Sequence, residues 1–228
     1  MSKTASFARN KANGRASIPP SVFPQWALEA MRPVVRAFSR ACWKLKLVGT
    51  ENIPSEGGLI IASNHQSYID PFWISIPINR PVRYLAWSVA FNWPLVGKLI
   101  TLLGAWPLQV EGSDPAAIRR SLQWLKDGGV LVIFPEGARS TFDGTMSHFK
   151  AGAVRLALEA NVPILPVTIR GGNRVWPRNQ KLPKRAAVEI TYHPLQHVTT
   201  LCGEETRECA RRQTDVLKQT IASALTHH

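Results

Sequence analysis

Long apolar runs are missing from this 228-residue chain. A membrane-crossing helix needs a clean apolar stretch of about 18 residues, and the sequence predicts none. The nearest approach, 84–110, holds Lys98 as its only cation and no acid, but Pro94, Gly97 and Gly104 interrupt it. That segment suits a buried helix or one dipping into an interface. Cysteine is scarce: Cys42, Cys202 and Cys209 form an odd count with no CxxC, which argues against a disulfide framework and fits a reducing compartment. Residues 1–25 lack the apolar core and small-residue cleavage site of a secretory leader. Acid is in short supply, with 15 Asp and Glu against 28 Lys and Arg, a net charge of +13 and a pI near 10.3. The excess points to a polyanionic partner: nucleic acid, an anionic membrane face or phosphorylated substrates. No GxSxG marks a serine nucleophile, and no zinc-finger, RNP or helix-turn-helix signature is present.

Three stretches differ in composition. Residues 1–22 are rich in Ser, Asn, Gly, Pro and Lys and read as a disordered basic N-terminus. Residues 23–45 read as an amphipathic helical segment. There Leu28, Met31, Val35, Phe38, Cys42 and Leu45 recur at alternating three- and four-residue steps, while Arg32, Arg36, Arg40 and Lys44 recur every four. Pro33 is expected to kink this segment or to start its second helix. Trp26 and Trp43 bracket it. Such a helix suits an anionic bilayer surface, and equally an ordinary helix packed on its own domain; periodicity does not choose.

From residue 46 to the end, strand and helix patterns alternate, which predicts one α/β domain, helices flanking a mostly parallel or mixed sheet. Expected strands are 58–62, 82–87, 129–134, 163–169 and 186–192; expected helices are 71–77, 90–103, 115–126, 150–160 and 205–225. Asp114 caps the third of these helices, Pro115 sits in its first turn and Gly128 ends it.

Two strand ends carry chemistry. The stretch SNHQSYIDPF, 63–72, follows the first apolar strand and places a histidine five residues before an aspartate. Along a continuous helix, side chains five apart point about 140° apart, so His65 and Asp70 pair only across a bend, which a strand–loop–helix junction supplies. Asp70 then fixes the imidazole tautomer and strengthens the other nitrogen as a base for a hydroxyl attacking a carbonyl. Asp70-Pro71 is also a good helix start with Asp70 as cap, and a lone loop histidine is more often structural. The stretch VIFPEGARS, 132–140, repeats the geometry. Glu136, Gly137, Arg139 and Ser140 supply a guanidinium, a hydroxyl and a close backbone approach, the parts of a phosphate site, unless the turn is merely solvated. Parallel neighbouring strands would bring both stretches to one sheet edge.

Together these residues resemble the glycerolipid acyltransferase family whose type is the bacterial 1-acylglycerol-3-phosphate acyltransferase. Its N-H-x4-D block matches 64–70, its F-P-E-G-x-R-S block matches 134–140, its F-K-x-G segment matches 149–152 and its V-P-I-x-P-V block matches 162–167, in order, within a likeness covering roughly 45–195. The resemblance implies transfer of a fatty acyl group from acyl-CoA or acyl-carrier protein to a lysolipid hydroxyl, with His65 as general base, Asp70 as its partner and no covalent intermediate. It implies that Asn64, Glu136, Gly137, Arg139, Ser140 and Lys150 serve substrate binding and that the 162–167 block lines the acyl or core side. It implies no metal or other cofactor. One block departs: the family shows an arginine six residues after a glycine, and here Val110 follows Gly104. The acceptor is then 1-acylglycerol-3-phosphate held by other cations, among them Arg170, Arg174 or Arg178, or a different lysolipid.

The resemblance favours the anionic membrane surface as the partner of the amphipathic segment, places the protein peripherally on the cytoplasmic face of the cell membrane, and makes a nucleic-acid partner the lesser alternative. A zinc site from His193, His197, Cys202 and Cys209 matches no familiar spacing.

Overall fold

A computed structural model describes residues 25–92, 94–109, 114–140, 143–177 and 180–225. The expected disorder of 1–22, Val110 and Arg178 lie outside the described residues. The chain begins with α1, Gln25–Trp43, and runs into the edge strand β1, Lys46–Val48. Then follow β2, Leu59–Ser63; α2, Asp70–Ser75; β3, Val82–Trp87; α3, Pro94–Leu102; β4, Ala105–Leu108; α4, Pro115–Lys126; and β5, Val130–Ile133. The remainder is α5, Gly152–Ala160; β6, Ile164–Arg170; β7, Glu189–Tyr192; and α6, Thr206–Ser223.

The strands form one sheet in the order β1-β7-β6-β2-β5-β3-β4, parallel throughout except where β7 runs against β6. The α/β class with a mixed, mostly parallel sheet is therefore observed. All five residues of β2 and all four of β5 are buried, which explains their continuous apolar sequence: both faces are covered. One face, with Leu59, Ile61, Val132 and Val167, packs on α2 through Trp73 and Ile74. The other, with Ile60, Ala62, Leu131 and Ile133, packs on α4, α5 and α6 through Leu125, Val154 and Leu217. Each such large side chain removed from water contributes roughly 1.5–3 kcal/mol.

The adjacent parallel strands β2 and β5 thus send their following helices to opposite faces. Their carboxyl ends are thus a switch point of the kind where ligands of open α/β sheets bind. His65 and Pro135–Ser140 follow those strand ends.

Several expectations need correction. Strands β1 and β4 were not foreseen: the first is three residues long, and the second carries Pro107, which only an edge strand tolerates. Residues 84–110 divide among β3, a 3-10 turn at Ser88–Asn92, α3 and β4, and no helix among the described residues is long and apolar enough to cross a membrane. Helix α1 runs through Pro33 without a break in assignment. Pro33 is exposed, on the side of the helix where water takes up the carbonyl left without its N–H.

The apolar stripe of α1 also divides. Val35 and Trp43 pack on the core and Leu45 is buried beyond the helix end, while Met31 and Phe38 are 50% and 57% exposed. With Val34, 68% exposed, they form an apolar ridge at i, i+3 and i+7.

Candidate active site

Asp70 is the centre of the β2–α2 junction. Its Oδ2 accepts the His65 Nδ1–H at 2.9 Å and the backbone N–H groups of Gln66 and Ser67 at 2.6 and 2.7 Å. The carboxylate is fully buried and the imidazole 17% exposed. The loop from Asn64 to Ile69 supplies the bend that direct pairing needs. Asp70 does not cap α2, contrary to one expectation. It occupies the first helical position, and its Oδ2 turns back to the loop before it, leaving no side-chain cap bond to the helix. Its Oδ1 has no hydrogen-bond partner among the described residues and lies against Gly172, where a Cβ would sit 3.0 Å from it.

The β5 loop is tied to the histidine by two hydrogen bonds and a ring stack. The His65 N–H donates to Glu136 Oε1 at 2.8 Å, the Ser140 N–H donates to the His65 carbonyl at 2.7 Å, and the Phe134 ring stacks on the imidazole at 4.0 Å between centroids. Glu136 Oε2 accepts from Ser147 N–H at 2.8 Å. Burial raises the Glu136 pKa above its ordinary value, and the Ser147 and His65 N–H groups oppose that rise.

With both oxygens bonded to backbone and only 7% of its surface exposed, Glu136 ties two loops together. Asn64 is bonded inward in the same way. It is fully buried, and its amide exchanges two bonds with Ile169, Nδ2 to the carbonyl at 2.9 Å and the N–H to Oδ1 at 2.8 Å, locking β2 to β6. Ser140 is 5% exposed; its backbone bonds His65 while its Oγ has no partner among the described residues. The 162–167 block forms much of β6 and is buried in the sheet from Ile164 onward.

Three residues of the two loops remain: Gly137, Arg139 and Lys150. Gly137 has φ 71°, a left-handed backbone that favours glycine, and the exposed Lys150 side chain lies over it, Nζ 3.3 Å from where a Cβ would stand. The Arg139 guanidinium stacks 3.6 Å above the Tyr68 ring, and Tyr68 rests against Trp176 at 5.2 Å. Sequence reasoning missed this stack and the Phe134–His65 stack. Both aromatics stand inside the matched blocks, but neither pairing has a signature in spacing. It also missed Gln66, whose Oε1 accepts from Gly172 N–H at 3.0 Å and ties the loop after β6 to the histidine loop.

Two of the suggested substitutes for an arginine at 110 have other surroundings. Arg170 pairs with Glu189 at 2.8 Å, and Arg174 lines a separate cavity beside Lys44 and Lys46. Among the described residues no group of three His, Cys, Asp or Glu is arranged to hold a metal ion.

The chain is similar to several known proteins. It is 28% identical over 171 residues to the chloroplastic 1-acyl-sn-glycerol-3-phosphate acyltransferase LPAT1 of Arabidopsis thaliana, a match covering 71% of this chain and 47% of that protein. The chain thus spans about half the length of that relative. It is 25% identical over 178 residues to the 1-acyl-sn-glycerol-3-phosphate acyltransferase of Bacillus subtilis, covering 78% of this chain and 86% of that one. The fold matches the crystal structure of the 1-acyl-sn-glycerophosphate (LPA) acyltransferase PlsC from Thermotoga maritima with a TM-score of 0.68 at 24% identity, over 89% of this chain and 82% of that chain. The family model described as Acyltransferase matches residues 44–170, more than half of the sequence and the whole stretch from α1's end through β6. The paired histidine after β2 and the loop bonded to it after β5 both fall inside that match, and the chain belongs to the acyltransferase family.

Proposed function

We propose that this protein moves a fatty acyl group from a thioester donor, acyl-CoA or acyl-carrier protein, to the free hydroxyl of 1-acylglycerol-3-phosphate, giving phosphatidic acid. The observation that carries the reading is the 2.9 Å bond from His65 Nδ1 to a fully buried Asp70, which leaves Nε2 as the basic nitrogen. Nε2 takes the hydroxyl proton as the alkoxide forms its bond to the thioester carbonyl. The tetrahedral intermediate collapses, the C–S bond breaks, and the proton passes from Nε2 to the departing thiolate. Asp70 stabilises the imidazolium between those steps and stays ionised.

Arg139, Lys150 and the backbone at Gly137 hold the acceptor phosphate. The Tyr68 stack fixes the plane of the guanidinium fork, which suits bidentate phosphate contact. Asn64, Glu136 and Ser140 hold these loops in place and do not touch substrate. With valine at position 110, the second reading is an acceptor with a different head group.

The exposed ridge of Met31, Val34 and Phe38, with Arg36 and Arg40 also exposed on the same helix, supports peripheral docking of α1 on an anionic bilayer, at the cytoplasmic face where the donors are found. Replacing Met31 and Val34 by serine leaves Val35, Trp43 and the Phe38–Trp43 ring contact in place. Vesicle binding at low salt is expected to drop, and unchanged binding would remove α1 from the membrane contact.

Transfer is tested with purified protein, lipid vesicles, labelled acyl-CoA or acyl-carrier protein, and a panel of lysophosphatidic acid, other lysophospholipids and phosphate-free lysolipids. His65-dependent product from lysophosphatidic acid supports the first reading. Product from another acceptor alone supports the second. Silence with every donor and acceptor sinks both.

A further inference from the structure

At the sheet edge opposite β4, cations outnumber acids among the described residues. Lys46 on β1, Glu189 on β7 and Arg170 on β6 stand side by side in register across three strands. Glu189 is already shared: Oε2 meets Lys46 Nζ at 2.9 Å and Oε1 meets Arg170 at 2.8 Å, and Lys46 first among its neighbours pulls its pKa below the ordinary carboxylate range. Two further cations join them. Arg174 comes from the turn after β6. Lys44 comes from the α1–β1 junction, where its backbone holds φ 46°, a left-handed conformation uncommon for any residue but glycine. These four side chains line a cavity of about 410 Å³ with Ala187, Val188 and Leu225. Among its described lining residues Glu189 is the only acid, so the wall carries four positive charges against one negative. Leu225 follows the end of α6, whose carbonyl terminus adds roughly half a negative charge, which leaves a surplus above +2.

We propose that this cavity binds a phosphoanion of small-molecule size, with Lys44, Lys46 and Arg174 as its direct contacts and Glu189 holding the strand-borne cations in place. The volume falls in the range of small-ligand sites. A surplus above +2 calls for a multiply charged anion, and ammonium groups beside a guanidinium are the donor set for phosphate oxygens. The placing of a lysine in the left-handed region is consistent with a site rather than a chance surface cluster, since glycine serves that position at lower conformational cost. The site has a path to the reaction centre. The turn that carries Arg174 also carries Gly172, whose N–H bonds Gln66 and whose α-carbon abuts Asp70. The ligand is either a soluble phosphate ester, such as the nucleotide end of a coenzyme thioester, or the head group of an anionic lipid.

The test is binding, so it stands whatever the fate of the acyl-transfer reading. The double variant Lys44→Gly, Arg174→Gln removes two contacts while giving the left-handed position the residue it prefers, so the fold is kept. A charge-matched control, Lys126→Gln with Arg211→Gln, removes two exposed cations elsewhere. Titration calorimetry with inorganic phosphate and adenosine 3′,5′-bisphosphate, and flotation with phosphatidylcholine vesicles with and without phosphatidic acid, supply the probes. The expected result is binding of at least one probe by the parent, weakened tenfold or more in the double variant and less than twofold in the control. Loss confined to the soluble bisphosphate assigns the nucleotide source; loss confined to the phosphatidic acid vesicles assigns the head group. No binding of any probe by the parent, or equal weakening in both variants, overturns the site.

Discussion

Two histidines follow strands of the same sheet and are held in opposite ways. His65, after β2, gives Nδ1–H to a buried carboxylate and lies under the Phe134 ring. His193, after β7, has Nε2 at 2.8 Å from the Thr168 hydroxyl. That hydroxyl gives its single proton to the Ile221 carbonyl at 2.7 Å, so it accepts from His193 and fixes the Nε2–H tautomer. The described partners of His193 include no anion, and burial lowers its pKa. One ring is set against a buried carboxylate; the other is set among neutral groups, where burial penalises its charged form. A ring is suited to carry a proton by the partner behind it more than by its exposure, and the variants below test that difference.

The largest expected effect is at the first ring. His65→Ala removes the base, and Asp70→Asn keeps its shape while losing the charge and favouring the wrong tautomer. Each is expected to lower kcat about 10³- to 10⁴-fold, with the donor and acceptor still bound. Turnover of the asparagine variant within tenfold of the parent would place the proton transfer elsewhere. Next comes Glu136→Gln, which puts an amide N–H₂ against one of two backbone N–H donors. The expected loss is about 2–4 kcal/mol of stability, a melting point roughly 5–15 °C lower, with a much smaller change in kcat for the folded fraction. A large kcat loss at unchanged stability would return Glu136 to the substrate.

That contrast between two buried acids also marks how far the sequence was legible. The strand pattern foretold β2, β5 and β6 because both faces are buried, so apolar runs are continuous. Asp114 and Pro115 foretold α4 because capping is local: Asp114 Oδ1 accepts Ala117 N–H at 2.9 Å. The His65–Asp70 pair was legible through one bend. The inward bonds of Asn64 and Glu136 were not legible because their partners, Ile169 and Ser147, come from elsewhere in the fold, and a motif does not say which of its polar residues face inward. Strands β1 and β4 escaped because edge strands of three and four residues carry too little periodicity.

A smaller effect is expected at Tyr68. Tyr68→Leu leaves Arg139 its charge but not its aromatic seat, worth about 0.5–2 kcal/mol. The apparent KM for a phosphate-bearing acceptor is expected to rise roughly twofold to thirtyfold, the conversion of that energy, with the donor KM unchanged, and Tyr68→Phe to restore most of it. Equal loss for donor and acceptor would indicate general loosening of the loop instead.

The smallest effect belongs to the second histidine, and its sign follows from linkage. The His193 pKa is lowered from 6.5 in the folded state, so between the lowered value and 6.5 the unfolded chain binds more protons than the folded one. Stability therefore rises with pH across that window and falls as pH drops through it. His193→Gln keeps a donor for Thr168 and removes the titration. Chemical denaturation at several pH values from 7.5 down to 5 is expected to show a shallower loss for the glutamine variant than for the parent, with both near the same stability at the upper end. Parallel curves would mean that the imidazolium finds compensation when it forms, and that the neutral surroundings of His193 yield as readily as the carboxylate behind His65 holds.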